Sequence, residues 1–493
     1  MAERARLLFE GPDWSFEKLR RTHDALAEIA EGELGLETFP NQIEIISAEQ
    51  MLDAYASVGM PLMYRHWSFG KHFIHHERAY RKGARGLAYE IVINSNPCIS
   101  YCLEENTMAL QALVMAHAAF GHNHFFRNNH LFRQWTDPDG ILDYLEYARD
   151  YIAACEERHG QRPVERVLDS AHALMPSGVF RHRRPPLPSL REQAERARQR
   201  REEAERSADY LMDSLVGSAG NPGADDPARA RRDEMRLPEE NLLYFIETYS
   251  PALEPWQREI LQITRNIAQY FYPQKQTQVM NEGCASFVHF HCMHRLHEQG
   301  RIDDGALLEV LHNHANVLTQ PGFDDPRYGG INPYALGFAM MRDIRRIAEA
   351  PTDEDRAWFP DLAGSGDWRE GLREAWALYR DESFIQQYLS PRVMRELRLF
   401  ACTDEAEDPY VTVSGIHDEA GYRELRDTLA QSRDISITDP EILVSDVDLL
   451  GDRVLHLRHV MRDGVPLEDK TREATLAHLR SLWGYPVVLQ ETR

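Results

Sequence analysis

The stretch LEENTMALQALVMAHAAFGH, residues 103–122, decides the reading of the fold. From Met108 to Phe120 it is almost continuously apolar, interrupted by Gln111 and His117, and is too short to cross a bilayer. Its length and its lack of strand alternation predict a helix from Leu103 to Phe120, closed by Gly121 as a C-cap. That helix carries His117 near its end and delivers the chain to His122.

Outward from this segment the pattern stays helical. Ser15 precedes a helix with Phe16, Leu19, Leu26 and Ile29 on one face, and a second periodic run follows Ser47. Residues 87–93 read as a short strand closed by Asn94-Ser95-Asn96-Pro97, and a further helix covers roughly Gly140 to Arg158. Helical periodicity returns at 239–249, 254–271, 277–299, 304–317, 333–348 and 366–389. Between these blocks, residues 179–236 form an Arg/Glu/Ala, Pro- and Gly-rich insertion with little apolar surface to offset the entropy of ordering. From about 399 the signal changes. Val411-Thr412-Val413, Ile435-Ser436-Ile437, Val454-Leu455-His456-Leu457 and Val487-Val488-Leu489 are β-like, interleaved with helices near 419–430 and 468–482. Arg462-Asp463-Gly464 reads as a hairpin turn. The expectation is a mainly α protein: a large helical domain from 1–178 and 237–398, the charged insertion 179–236, and a small α+β domain at 399–493.

Charge and composition exclude whole classes. The 493 residues hold 56 Lys+Arg against 79 Asp+Glu, a formal −23, which argues against a nucleic-acid partner. The first residues lack the apolar core of a secretory signal, so a cytoplasmic protein is expected. The six cysteines form no CxxC pair and are read as reduced, buried apolar residues. Phosphate-loop, dinucleotide, serine-hydrolase and HExxH motifs do not occur.

The histidines carry the functional signal. Eight of the 22 fall between 66 and 130 and six more between 289 and 314, with Glu104, Glu105 and Glu282 close by. Imidazoles with carboxylates are the donor set of zinc and non-haem iron sites. His117, His122, His289 and Glu282 are the candidate metal ligands, and Glu282 or Glu105 the candidate general base. Zinc, iron and manganese all remain open as the ion. Glu282 and His289, seven apart on one helix, share a face but lie about 10 Å apart, so one member of the pair is expected to serve a second layer of the site. His117 and His122, five apart, meet only if the helix ends at Gly121 and His122 curls back. His124, His130, His291, His294 and His297 read as hydrogen-bonded structural residues. His66-Trp67-Ser68-Phe69-Gly70-Lys71 reads equally as a pocket wall or as buried packing. Asn332-Pro333-Tyr334 reads as an ordinary N-cap or, less simply, an anion site.

Several of these stretches together resemble the stage V sporulation protein R (SpoVR) family. They are His66 to Lys71, Tyr89 to Asn94 with Asn96-Pro97, Glu104 to Met108, His117 through Gly121-His122-Asn123, Met280-Asn281-Glu282-Gly283, and Asn332-Pro333-Tyr334. The resemblance runs from about residue 14 to the end. One departure is visible: Cys284 and Val288 stand where the family usually has tryptophan. The resemblance implies a cytoplasmic protein of sporulation, including spore cortex formation, or of stationary-phase and stress physiology. It also implies a PrkA-type AAA+ serine protein kinase and a von Willebrand factor A-like protein as partners. Two readings therefore stand side by side, a scaffold or regulator of those partners and a metal-dependent hydrolase acting on an amide or ester bond.

Overall fold

The computed structural model describes residues 7–56, 63–67, 90–181, 235, 237–403, 409–462 and 466–492. Nearly all of the charged insertion lies outside them, as do Ser68 to Lys71 and the first residues of the strand expected at 87–93. The protein is mainly α-helical with a small α+β region at its C-terminal end. It divides into two units, Met1–Asp169 with Asn266–Asp439, and Ser170–Arg265 with Pro440–Arg493.

In the first unit, Ser15 caps α1 (Phe16–Ala27) by accepting from the Lys18 amide, and Leu19, Ala25 and Leu26 turn inward. Phe16 does not join them; it is 75% exposed and packs edge-on against Trp14. Three short strands follow: β1 (Asn41–Ile46), β2 (Glu90–Ile93) and β3 (Cys98–Leu103), in the order β1-β3-β2. β1 runs parallel to β3 and β2 antiparallel to it, so β2 is an edge.

The apolar helix starts later and ends later than its sequence suggests. Residues 98–103 are strand, and α2 (Met108–Met115) begins only after Thr107, whose hydroxyl accepts from the Leu110 amide. Gly121 is no C-cap. The helix runs on through a π-helical turn (Ala116–His122) into Asn123–Asn128. The need for glycine comes from packing: a Cβ at 121 would stand 2.5 Å from the Ala285 Cα.

Ala285 belongs to α3 (Gln278–Glu298), the centre of the unit, where Val279, Met280, Cys284, Val288, Cys292 and Met293 are buried on several faces. A helix apolar nearly all round must be enclosed by others. The π turn lies on one side of it. α4 (Asp304–Val317) and α5 (Pro333–Glu349) also pack on it. Gly283 and Gly337 let α3 and α5 approach so closely that a Cβ on Gly337 would sit 2.1 Å from the Val279 carbonyl oxygen. α6 (Trp368–Leu378) and α7 (Asp381–Tyr388) complete this layer. Asp381 holds the start of α3, accepting from the Val279 and Met280 amides at 2.8 and 2.9 Å.

Residues 399–403 and 409–438, grouped by sequence with the C-terminal segment, pack in the first unit. β4 (Ala401–Thr403) pairs with β5 (Thr412–Gly415), and α8 (Glu419–Arg433) lies on α7. Leu399, Ala401, Tyr422, Leu425 and Leu429 join the main core, and that burial holds the segment there. Ile435-Ser436-Ile437, expected as strand, is the helical turn Ile435–Thr438, because Asp434 accepts from the Ser436 amide and caps it.

The second unit holds β6 (Glu441–Val447), β7 (Leu455–Val460), α9 (Asp469–Trp483) and β8 (Val487–Thr492). β6 and β7 are antiparallel, while β7 and β8 are parallel and joined through α9. The turn expected at Arg462-Asp463-Gly464 therefore joins no hairpin; Asp463 and Gly464 themselves lie outside the described residues. Leu455 and Leu457 alternate inward along β7, and Trp483 stacks on Phe245 of the helix Leu242–Tyr249.

All six cysteines are free, five of them buried and Cys402 exposed. Among the described residues, no helix is long and apolar enough to cross a membrane.

Candidate metal centre

The π turn solves the spacing problem of His117 and His122. Hydrogen bonding from i to i+5 brings residues five apart onto one face, and the two rings stand edge to face with centroids 4.6 Å apart. Opposite them α3 presents Glu282. One ligand atom each from His117, His122 and Glu282 all lie within 4.8 Å of one another. The Glu282 Oε2 is 3.7 Å from His117 Nε2 and 3.6 Å from His122 Nε2. Donors bound about 2 Å from a shared ion stand roughly 3–4 Å apart, so the spacing fits one ion.

Hydrogen bonding then selects which atoms face inward. His122 Nδ1 is 2.9 Å from Asn281 Oδ1, an acceptor. His122 therefore carries its proton on Nδ1 and turns the lone pair of Nε2 toward the Glu282 carboxylate. Burial, with the nearby His117, pushes the His122 pKa down to about 4 and keeps the ring neutral. Burial pushes the Glu282 carboxyl up, but His122, His117 and the Tyr334 hydroxyl hold it below its usual value. A bare imidazole lone pair thus faces a carboxylate whose Oε2 is buried without a hydrogen-bond partner. Two acceptors set against each other in this way are unfavourable unless a proton or a metal ion lies between them.

The other sequence candidates fall elsewhere. His289 is not beside the ligand atoms. Its Nδ1 meets His117 Nδ1 at 2.9 Å and its Nε2 meets His314 Nδ1 at 2.7 Å, so it stands behind His117. Two helical turns separate it from Glu282, the distance that the spacing implied. Glu105 is exposed in the turn before Thr107 and is not in the cluster, and neither is Glu104. His124 is tied to the Glu37 backbone, His130 to the Ala377 carbonyl, His294 to the Phe290 carbonyl and His297 to Asp304. His66 and Trp67 both bind the Asp169 carboxylate.

Four residues at the centre escaped the sequence reading as site residues. Glu90, on the edge strand β2, places Oε1 3.6 Å from His117 Nε2. Burial and the charge of Glu282 push its pKa up. Asn281 orients His122, and Tyr334 hydrogen-bonds Glu282 and stacks on His117 with ring centroids 6.4 Å apart. Asn332 caps α5 by accepting from the Tyr334 amide, which makes that stretch a cap whose next turn supplies a site residue. His314 closes the chain behind His289. Glu90, Asn281 and Tyr334 lie in the stretches quoted for the family resemblance, which was the available signal; His314 had only its place in the second histidine group.

The comparisons with known proteins cover nearly the whole length. The family model described as SpoVR like protein matches residues 13–438, and that of the SpoVR-like C-terminal domain matches 440–493. The chain is 51% identical over 484 residues to the uncharacterized protein YcgB of Escherichia coli (strain K12), covering 98% of this chain and 94% of that protein. No solved structure matches. With both family models lying end to end along it, this chain belongs to the SpoVR family.

Proposed function

We propose that this SpoVR-family protein works through one divalent metal ion held by His117 Nε2, His122 Nε2 and Glu282 Oε2, with a remaining position for water or substrate. The observation that supports the reading is the neutral His122 lone pair set against an unpartnered, buried carboxylate oxygen. Two imidazoles and one carboxylate are the donor set of hydrolytic zinc sites and of non-haem iron sites. Such an ion, when bound, would lower the pKa of a water for attack on an amide or ester bond, and Glu90, outside the three-ligand group, is the carboxyl placed to take a proton there. Metal analysis of the full chain, purified without a histidine tag, tests this. One zinc, iron or manganese per chain in the parent, lost in His117→Ala and His122→Ala, is the expected result; a metal-free parent that takes up none of the three ions overturns it.

The resemblance to the family supports a second, compatible role, as a cytoplasmic scaffold or regulator of sporulation or stress physiology. The partners would be a PrkA-type kinase and a von Willebrand factor A-like protein. The surface that favours this role is the β4–β5 hairpin, where Tyr410, Val411, Val413 and Ile416 are all more than half exposed. Co-purification of the two partners with the parent, and their loss on Val411→Lys/Val413→Lys, is the expected result. Equal recovery with the variant removes the hairpin from the role.

A further inference from the structure

Behind His117 three buried imidazoles stand in a row: His117 Nδ1 to His289 Nδ1 at 2.9 Å, then His289 Nε2 to His314 Nδ1 at 2.7 Å. All three side chains are nearly inaccessible to solvent. A neutral imidazole has one N–H and one lone pair, so each contact needs one donor and one acceptor, and fixing one ring fixes the next.

Two proton orders satisfy both contacts. In the outward order His117 donates from Nδ1 to His289, which donates from Nε2 to His314. His117 Nε2 is then a bare lone pair. In the inward order His314 donates to His289 and His289 to His117, whose Nε2–H then points at Glu282 and Glu90. Those two carboxyls lie 3.7 and 3.6 Å from that nitrogen. A cation among the three ligand atoms requires the outward order, because a metal takes the lone pair and excludes the proton.

We propose that His289 and His314 are positioning residues that hold His117 as its Nδ1–H tautomer with Nε2 presented to the metal, and that metal binding sets the proton order of the whole row. This rests on the metal reading above and reassigns His289 from ligand to support. His289 fits the role because one of its ring nitrogens faces His117 and the other faces His314, so it can accept on one side while it donates on the other. Phe290 and Phe338 wall His314 with ring centroids 4.9 and 4.7 Å away, which fixes the last ring in place.

The test uses the full chain and zinc. Isothermal titration compares the parent with His289→Leu, His289→Asn and His314→Leu, while long-range proton–nitrogen spectra of histidine-labelled protein report the tautomers. His289→Leu removes the acceptor of His117 and is expected to weaken zinc binding about 10- to 100-fold. His289→Asn restores an acceptor near the old Nδ1 and is expected to recover most of that loss. In the zinc-bound parent, His117 is expected to carry its proton on Nδ1, and His289 and His314 on Nε2. Parent-like zinc affinity in His289→Leu, or a zinc-bound His117 protonated on Nε2, overturns the positioning role while leaving the metal reading intact. A parent that binds no zinc, iron or manganese overturns both. Should His289→Leu fail to fold, the tautomers of the parent and the affinity of His289→Asn decide.

Discussion

His122 Nδ1 lies 2.9 Å from Asn281 Oδ1, and that one hydrogen bond determines which nitrogen of His122 faces Glu282. Asn281 precedes Glu282 on the same helix, so a single turn of α3 supplies both a ligand and the residue that orients a second one. Asn281→Leu should therefore leave the fold intact and weaken zinc binding roughly 10- to 100-fold. Isothermal titration with circular dichroism as the folding control checks this. Unchanged affinity would show that His122 needs no such orientation.

The close approach at Gly121 gives a prediction about backbone rather than side chains. In Gly121→Ala the new methyl would lie 2.5 Å from the Ala285 Cα, a main-chain atom that cannot rotate away. The variant should lose about 2 kcal/mol or more of stability, at the upper part of the overpacking range. Adding Ala285→Gly removes only the more distant Cβ, at 3.0 Å, and should not restore it. Urea unfolding of the single and double variants measures both. Full rescue by Ala285→Gly would place the clash on the side chain instead.

Most of the helical layout and the three residues of the cluster, His117, His122 and Glu282, were legible in the sequence, for physical reasons that particular residues illustrate. Glu282 announced itself as an acid on a histidine-bearing helix, and Ser15 and Asn332 cap their helices as their residue types predict. The π turn was not legible. A helix with one extra residue per turn has the same composition as its α-helical neighbour, and Gly121 looked like a stop signal because its real constraint, Ala285, lies 164 positions away. Glu90 was hidden for a similar reason: in a short strand it is one polar residue at the head of an apolar run, and only the pairing of β2 with β3 brings it to His117. The segment 399–438 shows the limit of local pattern. Its β-like residues resemble those after 440, but Leu425 and Leu429 find their partners in the first unit.

Acid should weaken the first unit through Asp355. This buried carboxylate accepts from both terminal nitrogens of Arg346 at 2.7 Å and from the Thr352 hydroxyl and amide at 2.6 and 2.7 Å. Burial alone would push its pKa up, but these donors outweigh it and hold it well below the ordinary 3.8. A depressed folded-state pKa stabilises above the unfolded value, and the contribution is lost as pH falls below about 4. Asp355→Asn should cost about 3 kcal/mol at pH 7, since it replaces the bidentate partner of Arg346 with a neutral amide and leaves Asp343 as its remaining carboxylate partner among the described residues. It should also flatten the decline in stability between pH 5 and pH 2. Urea unfolding across that range checks the slope; a variant with the parent's acid limb would assign the decline to other carboxyls.

Glu282 and Glu90 both face His117, and their charged neighbours among the described residues are imidazoles and each other. Burial and the charge of Glu282 push Glu90 up, so its carboxylate opposes folding, whereas His122, His117 and the Tyr334 hydroxyl hold Glu282 below its usual value against its burial, so its carboxylate favours the metal-free fold. Glu282→Gln should therefore make the metal-free protein somewhat less stable than the parent at neutral pH, because it removes a charge that the neighbouring imidazoles and the Tyr334 hydroxyl favour. With zinc present the gap should widen. A ligand at 100 times its dissociation constant stabilises by about 2.7 kcal/mol, a gain open to the parent and closed to Glu282→Gln, which has lost a ligand. Glu90→Gln should keep the zinc increment, because Glu90 lies outside the group of three whose ligand atoms are mutually close. Thermal melts of the three proteins with chelator and with zinc give the six values needed. If Glu90→Gln loses the increment as Glu282→Gln does, Glu90 is the fourth ligand and the position left for water must be sought on another side of the ion.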